Sequence, residues 1–449
     1  MPAAISWHSS AVLALCCSAA LASPLVEARN SPDVILTASE LGLPFEASFS
    51  TAITPFNISV NESFIEMTTL KASLTRFVDD TPGQAEFTDG PPKRIVQDVA
   101  SFWASEYSWR DVEADINAKF KQYTTIVTVP DKFGDTPIPL HFVHHPSPRQ
   151  DAIPLLFIHG WPGSFLEVEP LIDSLTHPPN SSVPAFHVVA PSLPGYAFSP
   201  SPLKAGLGAR VMGGAFNQLM QKLGYATYVT QGGDFGAIIG RVMAADLPDA
   251  VVGLHSYFWV MNAAQGDLER YIAGTVTEEE KAFIETNQRF NHRLWPTFGT
   301  LSSMRPRKLS VALADSPLGL AMWIYDLLAP VTYKSDEVWV PERIVTWTMM
   351  QWIPGVYATL AIAENLADEG FLSVAGFDIH TYVTQPVAIS DFPLDIWHGL
   401  PLEWAQRRGN VKLRMTHDIG GHFPTLDVPE LVLQDTWTFF GDEELFSRQ

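Results

Sequence analysis

A single acidic residue stands among glycines in Gly232-Gly233-Asp234-Phe235-Gly236, where an apolar run from Ala226 to Gln231 passes into a helical stretch reaching Ala245. The pattern has the form G-x-Nu-x-G, in which small residues let two backbones meet at a sharp turn and the central residue is held strained. Such a turn needs a strand before it and a helix after it, and the flanking residues supply both. The same rhythm occurs twice upstream. Residues Ile153 to Ile158 (IPLLFI) form an unbroken apolar run, as buried parallel strands do. His159-Gly160-Trp161-Pro162-Gly163 follows, and then a helical stretch from Phe165 to Leu175. A second strand, Phe186 to Ala190, ends at Pro191-Ser192-Leu193-Pro194-Gly195. Three such units in a row predict an α/β fold, a mostly parallel sheet with helices on both faces.

Residues 255–385 break the rhythm. They read as helical, are poor in strand signals and carry Trp259, Trp295, Trp323, Trp339, Trp347 and Trp352. Strand-like Val411 to Thr416 then resumes the alternation, so a helical lid inserted into one core fits better than two consecutive domains. Ahead of Ile153 the chain reads as an irregular leader with one amphipathic stretch, Asp98 to Phe120. The expected organisation is a signal peptide at 1–22, a leader or meander at 23–150, core at 151–254, lid at 255–385 and the rest of the core at 386–449.

The signal peptide is read from residues 11–22, AVLALCCSAALA, which are too few to span a bilayer but match a secretory h-region. Ala20-Leu21-Ala22 fits the small-x-small rule before cleavage. Both cysteines, Cys16 and Cys17, lie inside this run, so no disulfide framework and no cysteine metal site is expected, and no membrane span after processing. Sequons at Asn57, Asn61 and Asn180 agree with a secreted or lumenal chain. The 49 acidic residues exceed the 28 basic ones by 21, which argues against nucleic acid or an anionic membrane surface as a partner. There is no G-x-G-x-x-G, P-loop or H-E-x-x-H motif, so no cofactor and no metal is expected. Oligomeric state is not legible.

Aspartate in place of serine changes the reaction class. A carboxylate attacking an ester carbonyl gives an unstable anhydride, whereas attack on an sp³ carbon of an epoxide or alkyl halide gives an alkyl-enzyme ester that water can hydrolyse. That second step needs a base, an acid to orient it and an oxyanion hole, in the chain order nucleophile, acid, histidine. His422, in Gly420-Gly421-His422-Phe423-Pro424, lies beyond the last strand where a base belongs, with His417 a near competitor. Asp395 is the preferred orienting acid, with Asp391, Glu403 and Asp418 as alternatives. The backbone N–H groups of Trp161 and Phe235 are the expected oxyanion donors. A dehalogenase would want a halide donor after the nucleophile, and the Phe235 side chain has no N–H.

HGWPG at 159–163, PSLPGYAFS at 191–199, GGDFG at 232–236 and GGHFP at 420–424, together with the leader, resemble the microsomal-type epoxide hydrolases. This resemblance implies an α/β-hydrolase fold with an N-terminal meander and a helical lid. It implies the same roles for Asp234, His422 and Asp395. It also implies two lid tyrosines that hydrogen-bond the epoxide oxygen, and here the chain departs. Counting from Ser316-Pro317-Leu318-Gly319-Leu320 places Phe298 at the first tyrosine, and counting from Trp352 and Gly355 places Glu364 at the second. Tyr357, Tyr325 and Glu364 become the candidate proton donors, with Phe298 and Trp352 expected in the substrate pocket. The reading is an epoxide hydrolase acting on a small, apolar, bulky epoxide. A cyclase or isomerase on the same fold and a non-catalytic binding protein are the alternatives.

Overall fold

The computed structural model describes residues 35–131, 134–373, 376–377 and 379–446; the expected signal peptide, 1–22, lies outside them. Nine strands form the main sheet: β1 Thr54–Phe56, β2 Gln122–Asp131, β3 Gly134–His145, β4 Ile153–Ile158, β5 Phe186–Pro191, β6 Tyr228–Gly232, β7 Val251–Ser256, β8 Val383–Asp391 and β9 Gly409–Thr416. Their spatial order is β9-β8-β7-β6-β4-β5-β3-β2-β1. The six strands from β4 to β9 are mutually parallel, and β1 to β3 add an antiparallel edge. From Leu155 to Ile158 strand β4 is wholly buried, which its continuous apolar run required because helices cover both faces.

The antiparallel edge differs from the expected irregular leader. Strands β2 and β3 pair over ten residue positions, Gln122 to Asp131 against Gly134 to Val143. Alternation in Ile126-Val127-Thr128-Val129 carries the strand signal, but the prolines at 130, 137 and 139 mask it. The amphipathic stretch Asp98 to Phe120 is likewise two helices, Lys93–Ser105 and Trp109–Lys119, with the Ser108 hydroxyl capping the second by accepting from the Asp111 N–H at 3.3 Å.

The order of strand addition reverses at β4, since β5 lies on one side of it and β6 on the other. The carboxyl ends of β4 and β6 therefore flank a topological switch point, where α/β sheets open a ligand crevice. Above that crevice sits the lid, chiefly helices Trp295–Met304, Pro317–Leu328, Pro341–Trp352 and Val356–Asp368. The leader braces it from outside: Trp352 Nε1 donates to the Thr68 hydroxyl at 2.9 Å, and the Tyr107 and Thr346 hydroxyls bond at 3.1 Å. Among the described residues no helix is long and apolar enough to cross a membrane.

Candidate active site

Asp234 opens the helix Asp234–Asp246 directly after β6, with φ at +47°. A non-glycine residue at positive φ is strained, and here the surrounding backbone enforces it. A Cβ on Gly236 would lie 1.9 Å from the Ile158 carbonyl oxygen, and one on Gly160 would lie 2.5 Å from Asp234 Cβ. Only glycine at these two positions lets β4, β6 and the turn come together.

The Asp234 carboxylate is gripped at both oxygens. Oδ1 accepts the Trp161 backbone N–H at 2.8 Å, and Oδ2 lies 3.3 Å from His422 Nε2. His422 Nδ1 meets Asp395 Oδ1 at 2.5 Å, and Asp395 Oδ2 accepts the Trp397 N–H at 3.2 Å. All three side chains are buried. Their elements are the carboxyl-end loops of β6, β8 and β9, so the sheet itself brings together residues 161 positions apart (Asp234 to Asp395) and more. Burial alone would lower the His422 imidazole, but hydrogen bonds and charge from Asp234 and Asp395 outweigh it and hold the ring at a pKa of about 10. Burial pushes Asp395 upward, and the His422 contact partly offsets that shift.

The competing residues are engaged elsewhere. Asp391 pairs with Arg414 at 2.6 Å and His398 at 2.8 Å, and His417 meets Asp435 at 2.7 Å. Glu403 and Asp418 are exposed.

Asp234 and His422 open onto a cavity of about 620 Å³ whose wall includes Phe290, Phe298, Leu327, Ile396 and Phe423. Phe298, expected in the substrate pocket, is on this wall, and its ring stacks on Trp161 at 5.8 Å and 22°. Phe235 and Trp161 both face a tight cleft between the helices Trp295–Met304 and Val356–Asp368.

Three expected residues lie elsewhere. Trp352 points at Thr68 of the leader and joins neither wall. Tyr357 is 40% exposed, its ring under the Arg307 guanidinium at 4.5 Å. Glu364 is half-buried, and the face of its helix turned toward Trp161 and Phe298 carries Thr359, Leu360, Ile362 and Ala363. One residue along a helix is a rotation of about 100°, enough to take Glu364 off the wall. The fourth candidate, Tyr325, packs against Phe87 at 6.5 Å. We expect Tyr357→Phe and Glu364→Gln each to change kcat and KM by no more than roughly twofold in steady-state assays.

The sequence reading missed Glu167. This residue is fully buried behind the 159–163 turn, where Oε1 accepts the Gly160 N–H at 3.1 Å and Oε2 has no partner among the described residues. Burial holds its carboxyl well above the usual range, opposed by the Gly160 hydrogen bond and reinforced by Asp234. Its one signal was an acid in the apolar run Phe165-Leu166-Glu167-Val168. Glu167→Gln keeps the acceptor and should melt near wild type. Glu167→Ala strands the Gly160 N–H and should cost about 1–3 kcal/mol in chemical denaturation. Phe87 to Gly90 of the leader also join the cavity wall, a long-range placement with no local signature.

A nine-stranded, mostly parallel sheet with an aspartate-bearing turn, a distal acid and a C-terminal histidine defines an α/β-hydrolase. Residues 153–257 match the alpha/beta hydrolase fold family model, and residues 53–168 match the model described as the epoxide hydrolase N terminus. A putative epoxide hydrolase of Stigmatella aurantiaca is 31% identical over 387 residues, covering 84% of this chain and 82% of its own length. Epoxide hydrolase 1 of Sus scrofa is 26% identical over 423 residues, covering 87% and 89%. The Aspergillus niger epoxide hydrolase structure aligns with a TM-score of 0.72 at 26% identity, over 88% of this chain and 97% of that one. The silkworm juvenile hormone epoxide hydrolase shares the fold, with a TM-score of 0.77 at 22% identity over 89% and 96%. The chain belongs to the epoxide hydrolase family of α/β-hydrolase enzymes.

Proposed function

We propose that this enzyme opens a bulky apolar epoxide through a covalent ester on Asp234, which water activated by His422 hydrolyses to a diol. The observation that carries this reading is the Asp234 carboxylate itself, held at positive φ and facing an aromatic cavity of about 620 Å³. A carboxylate placed so is aimed at an sp³ carbon, and backside attack on a strained ring needs no acyl chemistry. The Trp161 N–H, with that of Phe235 as its intended partner, then stabilises the oxyanion formed when water attacks the ester carbon. Asp395 keeps the imidazole oriented throughout. The cavity volume falls within the range that encloses a drug-sized molecule, and its phenyl rings favour an apolar one.

Single turnover with styrene oxide in ¹⁸O-water tests this. The first-turnover diol should carry unlabelled oxygen from Asp234, and label should enter the carboxylate. A cyclic or rearranged product, isomeric with the epoxide and formed without label entering Asp234, would sink hydrolysis and favour a cyclase or isomerase. That second reading draws on one observation: Phe298 stands over the Trp161 turn, while Tyr357 and Glu364 face elsewhere. The secretory reading is also a proposal. Exposure of Asn57, Asn61 and Asn180 supports it, and resistance of the expressed protein to endoglycosidase would count against it.

A further inference from the structure

Opening an epoxide leaves an alkoxide, and expelling it unprotonated is slow at neutral pH. The residues expected to supply the proton lie off the cavity wall, and Phe298 has none to give. His422 lines the cavity beside Asp234. We propose that His422 is the acid of the first step as well as the base of the second, giving its Nε2 proton to the opening epoxide and recovering one from water. The inference rests on the Asp234 reading above.

The geometry fixes the ring for both tasks. Nδ1 is held by Asp395, the His422 backbone N–H donates to the Val331 carbonyl at 2.8 Å, and the Phe258 and Phe423 rings stand edge-on at 5.1 and 4.8 Å. Nε2 is thereby left facing Asp234 and the cavity. The titratable groups facing the imidazole are Asp234 and Asp395, both in contact with it, Glu167 behind the turn, and Asp89 and Asp326 on the wall of the same cavity. The two contacting carboxylates hold the proton on the ring, consistent with the pKa of about 10.

The timing follows from charge. Asp234 Oδ2 attacks the epoxide carbon, a C–O bond to Asp234 forms and the ring C–O bond breaks. Esterification removes the negative charge beside His422, so its grip on the proton falls as the alkoxide appears. The proton passes from Nε2 to the alkoxide, relayed by the water that the ring will next activate, and leaves a neutral imidazole. That imidazole then takes a proton from water, hydroxide adds to Asp234 Cγ, and the ester C–O bond breaks as the proton of the added hydroxyl passes to the departing alkoxide. The products are the diol, the Asp234 carboxylate and the imidazolium. One water is consumed, and the cycle closes with no proton drawn from outside the site.

The test is formation of the ester in His422→Gln, followed by rapid quench and intact-protein mass after mixing with styrene oxide. An acid elsewhere would leave opening intact and trap the adduct at the wild-type opening rate. The present assignment predicts adduct formation at least about 100-fold slower. Adding Phe298→Tyr in that background supplies a phenol at the cavity and should restore adduct accumulation. In the unsubstituted enzyme, the single-turnover opening rate should fall as pH rises through about 10. Adduct accumulation at the wild-type rate in His422→Gln overturns the proposal, and so does an opening rate that stays flat across that range. Diol formation by the unsubstituted enzyme with no label ever entering Asp234 would instead defeat the nucleophile reading.

Discussion

Asp234→Ala is expected to abolish turnover, with kcat for an aryl epoxide falling on the order of 10⁵-fold or more. None of the groups packed beside Asp234 can take over. His422 lies 3.3 Å away but is held as an imidazolium, and Asp395 is occupied by that same ring. Glu167 is sealed behind the turn. The substitution also removes one of the two charges that raise His422, so the ring's pKa should drop from about 10 toward its ordinary value, measurable by NMR titration. The quenched protein should carry no adduct. Wild-type turnover, or an adduct mapping to another peptide, would refute the assignment. A thermal melt close to the parent's separates loss of chemistry from loss of fold.

The second large effect is Asp395→Asn, for which we expect kcat to fall roughly 10⁴-fold, as when the orienting carboxylate of a comparable triad is neutralised. Asp395 is buried with one oxygen on the imidazole and the other on the Trp397 N–H, so an amide fits the space but supplies no charge. Removing that charge weakens the hold on the His422 proton. The alkaline fall in the opening rate should therefore shift to lower pH than in the parent, a displacement that a purely structural lesion would not produce. A kcat within tenfold of the parent would sink the assignment. Asp391 offers no rescue, because Arg414 and His398 already occupy its oxygens.

These predictions concern residues that were legible before any coordinates. Asp234, His422 and Asp395 announce themselves because each lies in a loop that ends a buried strand, and both glycine-rich turns have a backbone reason to be glycine. Phe298 lines the cavity, its ring stacked on Trp161. Glu364 was reached by counting along the lid from Trp352 and Gly355, and a slip of one residue on a helix turns a side chain by about 100°. Counting decides which helix a residue is on. It does not decide which face.

Burial supplied the rest. Glu167 reads as a stray charge near the start of a helix, and only the packed turn makes it a buried acid bonded to Gly160, its carboxyl held well above the usual range. Residues 87–90 come from the leader, yet they meet His422 across the cavity because the leader helices are bolted to the lid through Trp352 and Tyr107.

The sequence by itself determined the parallel core, the chain order of Asp234, Asp395 and His422, and the aspartate at the turn after the strand, because these depend on strand periodicity, turn sterics and residue chemistry that are local. Tertiary structure alone decided the raised pKa of His422, the upward shift of Glu167 and the absence of the expected donors from the cavity wall. Those properties depend on which charges lie within a few ångströms and how much water is excluded, and both are set by contacts between residues far apart in the chain.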